Sequence, residues 1–130
     1  IKLGSLEPTR DFSHVDDTVA GFIASLESER GSGDVFNLGS NFEISIGETA
    51  GLIAKIMGSN VNITSDERRI RPSTSEVDRL FSDNKKALNL LPWKPRYTGL
   101  AGFEAGLRKT IDWFTEFESL NDRTIDSFNL

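Results

Sequence analysis

The segment from Arg68 to Pro95 constrains this chain more than any other. Arg68, Arg69, Arg71 and Arg79 crowd together in an otherwise acidic sequence of 130 residues with a formal charge of −5. Pro72 fixes its own φ and pushes Arg71 out of the helical region, so this part reads as a loop that presents guanidinium groups outward. Beyond Leu80 and Phe81, Ser82 and Asp83 offer capping side chains to a short helical run through Ala87, Leu88 and Leu91, which Pro92 ends. The segment therefore predicts an arginine-bearing loop, a short strand and a capped helix closed by a Trp93-Lys94-Pro95 turn.

The flanking sequence alternates helix and strand signals. Gly4 and Pro8 punctuate an extended arm. Val15, Val19, Phe22, Ile23 and Leu26 then follow helical spacing and predict one buried face, with Asp16 or Asp17 as the cap. Val35-Phe36-Asn37-Leu38, bounded by glycines, predicts a strand at the edge of a larger parallel sheet. Phe42, Ile44 and Ile46 alternate as a brief strand, and Ser45 with Glu48 forms a capping box. The helix that follows is expected to bury Ile46, Ala50, Ile53, Ile56 and Met57 and to stop at Gly58. Val61 to Ile63 predicts another strand. Thr98 is expected to cap the longest helix, striped by Leu100, Phe103, Leu107, Ile111 and Phe114. With 37% hydrophobic residues the chain can bury one modest core. Residues 1–118 are read as one α/β unit of few short strands and about four helices, and 119–130 as a weakly ordered tail.

Composition narrows the function classes. The acidic balance argues against nucleic acid and against anionic membrane as partners, since both require a broad basic face. No apolar run approaches a membrane span. With no cysteine there is neither a disulfide nor a thiolate site, which fits a cytoplasmic protein. His14 is the lone histidine. A metal requires several converging ligands, and the neighbouring Asp16 and Asp17 have capping duties, so no metal site is expected and His14 is read as structural.

The succession Arg71-Pro72, Asp78-Arg79, Ser82-Asp83 with Lys86-Ala87, and Leu91 with Trp93 and Pro95 resembles the C-terminal segment of the extended short-chain dehydrogenase/reductases that modify nucleotide sugars: 4,6-dehydratases, 4-epimerases and UDP-glucuronate decarboxylases. The resemblance extends through Thr9-Arg10-Asp11-Phe12 to Asp17, through Val35 to Gly39, and through Leu100 to Phe114. It implies the C-terminal, substrate-binding part of an extended Rossmann-type reductase, of the kind used in cell-surface polysaccharide biosynthesis. It also implies a nucleoside-diphosphate sugar as ligand, NAD as cofactor, and a homo-oligomer. The dinucleotide-binding half is not in this sequence. No Gly-x-Gly-x-x-Gly turn follows a predicted strand, and the only tyrosine, Tyr97, has Ala101 four positions on where the family's catalytic pair needs lysine. The sequence, which opens at Ile1 inside a motif, is thus expected to be part of a longer enzyme, to bind no NAD itself and to be inactive alone.

By the same resemblance Arg10 falls on the arginine that holds the substrate diphosphate and Phe12 on the aromatic that packs the nucleotide. Arg71 matches a second diphosphate ligand, with Arg79 as a rival because the spacing from Arg71 to Asp83 is long for a hexose 4,6-dehydratase. Planar guanidinium suits phosphate, since it can donate two charge-assisted hydrogen bonds at once. The competing reading is a non-catalytic module that binds a phosphate-containing ligand or another protein.

Overall fold

The structure, a computed structural model, describes residues 1–72 and 74–120, with side chains to residue 116. Five two-residue strands and four α-helices follow in order: β1 (Lys2–Leu3), β2 (Thr9–Arg10), α1 (Val15–Glu27), β3 (Ile44–Ser45), α2 (Ile46–Ile56), β4 (Thr64–Ser65), β5 (Arg79–Leu80), α3 (Lys85–Leu90) and α4 (Gly99–Leu120). A 3₁₀ turn at Glu67–Arg69 follows β4. β1 and β4 pair in parallel; β2 lies between β3, antiparallel to it, and β5, parallel to it. This is the expected α/β arrangement of few strands and four helices.

Local chemistry accounts for most boundaries. Ser45 and Glu48 close a capping box at the start of α2: the Ser45 hydroxyl accepts from the Glu48 amide at 3.1 Å, and the Ser45 amide donates to the Glu48 carboxylate at 3.0 Å. Gly58, with φ of +61°, lets the chain leave α2 through the left-handed region. Three predicted caps differ. His14, not Asp16 or Asp17, caps α1, its Nδ1 accepting from the Asp16 amide at 3.2 Å. Asn84 occupies the cap position of α3, while the Asp83 carboxylate accepts from the Lys85 amide. Thr98 directly precedes α4, but its hydroxyl donates to the Ser40 carbonyl.

The principal departure concerns α1. Its apolar stripe faces outward: Val15, Val19, Phe22, Ile23 and Leu26 are exposed, Leu26 by 87%. The buried positions are Asp17, Gly21 and Ala24, a second helical stripe of small and polar residues. Within this chain that stripe permits close approach. A Cβ at Gly21 would sit 2.5 Å from the Leu38 side chain, so the helix packs directly against the 36–38 segment. Val35–Leu38, whose sheet partners are expected outside this sequence, pairs with no described strand, and Phe36 and Leu38 pack on a small core of Ala24, Ala87, Leu91 and Trp93. On α2, Ile46, Ala50, Ile53 and Ile56 are half-buried and Met57 is exposed. On α4, Phe103 is buried and Leu107 and Ile111 are half-buried, whereas Leu100 and Phe114 are exposed. The strand expected at Val61 to Ile63 forms one step later, at Thr64–Ser65. α4 runs on to Leu120, past the expected start of the tail; residues 121–130 lie outside the described residues.

Asp17 ties these layers together. Its carboxylate accepts the Arg96 and Tyr97 amides at 2.9 Å each, fixing the entry into α4 on the start of α1. Asp11 plays the same part at the sheet, where its oxygens accept from the Ser40 amide and hydroxyl and from the Asn41 and Ser82 amides. Gly39 has no room for a side chain there: a Cβ would lie 2.3 Å from that of Ser82.

Candidate functional site

A cleft of about 250 Å³ opens between the β1–β2 loop, the start of α2 and the loop after the 3₁₀ turn, lined by Gly4, Ser5, Pro8, Arg10, Ile46, Arg69, Arg71 and Glu76. Arg10 reaches it from the central strand β2. Its Nη1 donates to the Thr9 carbonyl at 2.7 Å, and its Nη2 lies 3.6 Å from Glu76 Oε1, with both side chains less than a fifth exposed. Arg69 comes from the 3₁₀ turn, which Asp66 caps by accepting from the Arg68 amide. The backbone there is tightly seated, since a Cβ at Gly4 would fall 2.5 Å from the Arg69 carbonyl oxygen. Arg71 follows on the Arg-Pro loop and is exposed. The Ser75 and Glu76 amides donate to the Pro72 carbonyl, so the turn that presents Arg71 also carries Glu76.

The other two arginines of the cluster are engaged elsewhere. Arg68 binds Asp66 through Nε and Nη2 at 3.3 and 3.2 Å, and that hydrogen bonding lowers the Asp66 pKa. Arg79 makes a fork on Glu43, Nη2 to Oε1 at 2.6 Å and Nε to Oε2 at 2.8 Å, and stacks over Phe81 at 5.0 Å. The hydrogen bond to Arg79 is the largest cause holding the Glu43 carboxyl below its usual value, and the same bond raises the Arg79 pKa. Strand register explains the separation. Thr9 is level with Arg79, and Arg10 with Leu80, so alternation puts Arg79 on the Thr9 and Glu43 face and Arg10 on the other. The structure thus brings Arg10 and Arg71 into one cleft, turns Arg79 away and adds Arg69 and Glu76. Sequence spacing could not single out Arg69 among four near neighbours, and Glu76 carries no motif.

Phe12 lies apart. It stacks on Phe103 at 5.7 Å between ring centres and lines an apolar groove of about 430 Å³ with Val15, Ile53, Tyr97, Phe103 and Leu107. This larger groove is mainly apolar, and no carboxylate, lysine or arginine lines it, so the arginine cleft is the stronger candidate for an anionic ligand. His14 stacks on Tyr97 at 4.1 Å and rests on Gly106, a packing role beside its cap. Among the described residues no group of three or more histidine, cysteine or carboxylate side chains converges as a metal site, and no helix is long and apolar enough to cross a membrane. The Tyr97 hydroxyl is held by Asp16, which also receives Lys109.

Comparison with known proteins agrees with the fold. The profile described as GDP-mannose 4,6 dehydratase matches residues 1–110. UDP-glucuronic acid decarboxylase 1 of Xenopus tropicalis is 36% identical over 85% of this chain and 24% of its own length. UDP-N-acetyl-alpha-D-glucosaminuronate decarboxylase of Bacillus cytotoxicus is 30% identical, over 89% of this chain and 35% of its own. Among solved structures, an epimerase from Methanothermobacter thermautotrophicus superposes with a TM-score of 0.79 at 31% identity, covering 92% of this chain and 34% of that one. UDP-glucuronic acid 4-epimerase from Bacillus cereus, solved with UDP-glucuronic acid and NAD, gives 0.73 at 25% identity, covering 89% and 35%. The chain therefore spans about a quarter to a third of the length of these relatives.

Proposed function

The chain belongs to the GDP-mannose 4,6-dehydratase family of extended short-chain dehydrogenase/reductases, and on that footing we propose that its arginine cleft binds the diphosphate of a nucleotide-sugar substrate. The observation that carries this reading is the meeting of Arg10, Arg69 and Arg71 in one cleft while Arg68 and Arg79 are spent on carboxylates outside it. Guanidinium groups on three different elements can surround two adjacent phosphates, and each charge-assisted bond fixes orientation as well as affinity. Diphosphate binding is remote from the reacting sugar carbons, so its contribution is to hold the sugar in place for chemistry elsewhere. Phe12 acts on the site through packing: its stack with Phe103 steadies the chain leaving β2, two residues beyond Arg10. Arg79 acts by clamping β5 to Glu43.

The whole protein is proposed to be an NAD-dependent nucleotide-sugar 4,6-dehydratase or epimerase. NAD would supply transient oxidation of the sugar. The residues of this chain do not fit that cofactor: the sequence has no Gly-x-Gly-x-x-Gly turn, and the Tyr97 hydroxyl is tied to Asp16. No step of the oxidation is assigned to them. A homo-oligomer in the cytoplasm completes the proposal, supported by the apolar face of α1 and the absence of cysteine.

Calorimetric titration with UDP-glucose and with uridine tests the diphosphate reading. Saturable binding of the first and none of the second is expected; equal binding of both contradicts it.

A further inference from the structure

We infer that Glu76 sets the charge of the arginine cleft, so that it prefers a diphosphate capped at both ends, as in a nucleotide sugar, over a free nucleoside diphosphate. The inference rests on the diphosphate reading and deepens it. The charged lining is three guanidinium groups, Arg10, Arg69 and Arg71, and one carboxylate, a net of +2. A nucleotide sugar carries one negative charge on each phosphate. A free nucleoside diphosphate gains a third, because its terminal phosphate loses a second proton with a pKa of about 6. Without Glu76 the cleft would be +3 and would match the free diphosphate better.

The geometry supports a direct effect. Glu76 Oε1 lies 3.6 Å from Arg10 Nη2, and the side chain is 18% exposed, so solvent only partly screens it. Its position is built: the Glu76 amide donates to the Pro72 carbonyl, and Oε1 also accepts the Val77 amide at 3.2 Å. A terminal phosphate that engages Arg10 Nη2 lies near this carboxylate, and a doubly charged one is repelled about twice as strongly as a singly charged one. The preference also favours release of any free diphosphate that reaches the site.

The test measures affinities of the full chain for UDP against UDP-glucose, and for GDP against GDP-mannose, in wild type, Glu76→Gln, Glu76→Asp and Arg69→Gln. Glu76→Gln should tighten the free diphosphate by roughly tenfold and the sugar diphosphate by only about threefold, moving their ratio toward the free form. Glu76→Asp should restore the wild-type ratio. Arg69→Gln, on an exposed turn, should move the ratio the opposite way. An unchanged ratio in Glu76→Gln overturns the inference while leaving the diphosphate reading intact, as does parallel weakening of both ligands in that variant. Absence of wild-type binding to all four ligands overturns the diphosphate reading, and the inference with it.

Discussion

The indole N–H of Trp93 donates to the backbone carbonyl of Asp17 at 2.9 Å across 76 residues of sequence, and the Asp17 carboxylate turns the other way to receive the Arg96 and Tyr97 amides. One residue at the start of α1 thus holds both the turn after α3 and the entry to α4. Asp17 is 2% exposed, so its carboxylate has little access to water in place of these partners. Removing the carboxylate takes the acceptor from two part-buried amides. Asp17→Ala should cost about 3 kcal/mol, read as a lower denaturant midpoint at unchanged slope. Trp93→Phe, which keeps most of the ring but loses the N–H, should cost less, about 1 to 2 kcal/mol.

Gly39 gives a second test of the fold. A Cβ there would meet Ser82 and stand 2.8 Å from Asp11 Oδ2, in the middle of the contacts by which Asp11 joins β2 to the 40–41 turn. Gly39→Ala should destabilise by about 2 kcal/mol through overpacking. Gly33→Ala has open space around it and is disfavoured only by its φ of +79°, so its loss should be smaller. Thermal melts of the two variants side by side check the order.

The Asp16–Lys109 ion pair at 2.5 Å ties α1 to α4 and predicts a pH dependence. The hydrogen bond from Lys109 is the largest cause lowering the Asp16 pKa below 3.8, and the same bond raises Lys109 above 10.5. The stabilisation from Asp16 is therefore fully present above pH 3.8 and fades as pH falls through the lowered folded value. That from Lys109 is present below pH 10.5 and fades as pH rises through the raised one. Both side chains are substantially exposed, so the effect is modest. Lys109→Met should lower the melting temperature slightly at pH 7, and its difference from wild type should shrink as pH falls below 3.8.

How much of this was legible in the sequence depended on whether the deciding contact was local. The Ser45–Glu48 box, the Gly58 exit and the Arg71-Pro72 loop rest on neighbours within a few residues, and they stand as read. α1 carries two stripes on the helical period: within this chain, which spans about a quarter to a third of its relatives' length, the small-residue stripe packs at Gly21 on Leu38, a contact with no periodic signal, and the apolar stripe lies exposed. The strand read at Val35–Leu38 has its expected sheet partners outside this sequence, and within it the segment packs through Phe36 and Leu38 on the small core. In the cleft, Arg10 and Arg71 followed from motif position. Arg69 and Glu76 needed the folded loop, because only there do the two sides of Pro72 face β2.

Arg79 separates fold from function. Its fork on Glu43 lies on the far side of β2 from the cleft. The decisive measurement is the affinity for UDP-glucose of Arg10→Ala, Arg71→Ala and Arg79→Ala, with the melting temperature of each taken in parallel. A charge-assisted hydrogen bond contributes about 1.5 to 3 kcal/mol, so Arg71→Ala should weaken binding roughly ten- to a hundredfold with little change in stability. Arg10→Ala should do likewise, and Arg79→Ala should lower the melting temperature while leaving affinity near wild type. Loss of affinity in Arg79→Ala alone, or in none of the three, contradicts the assignment of the cleft.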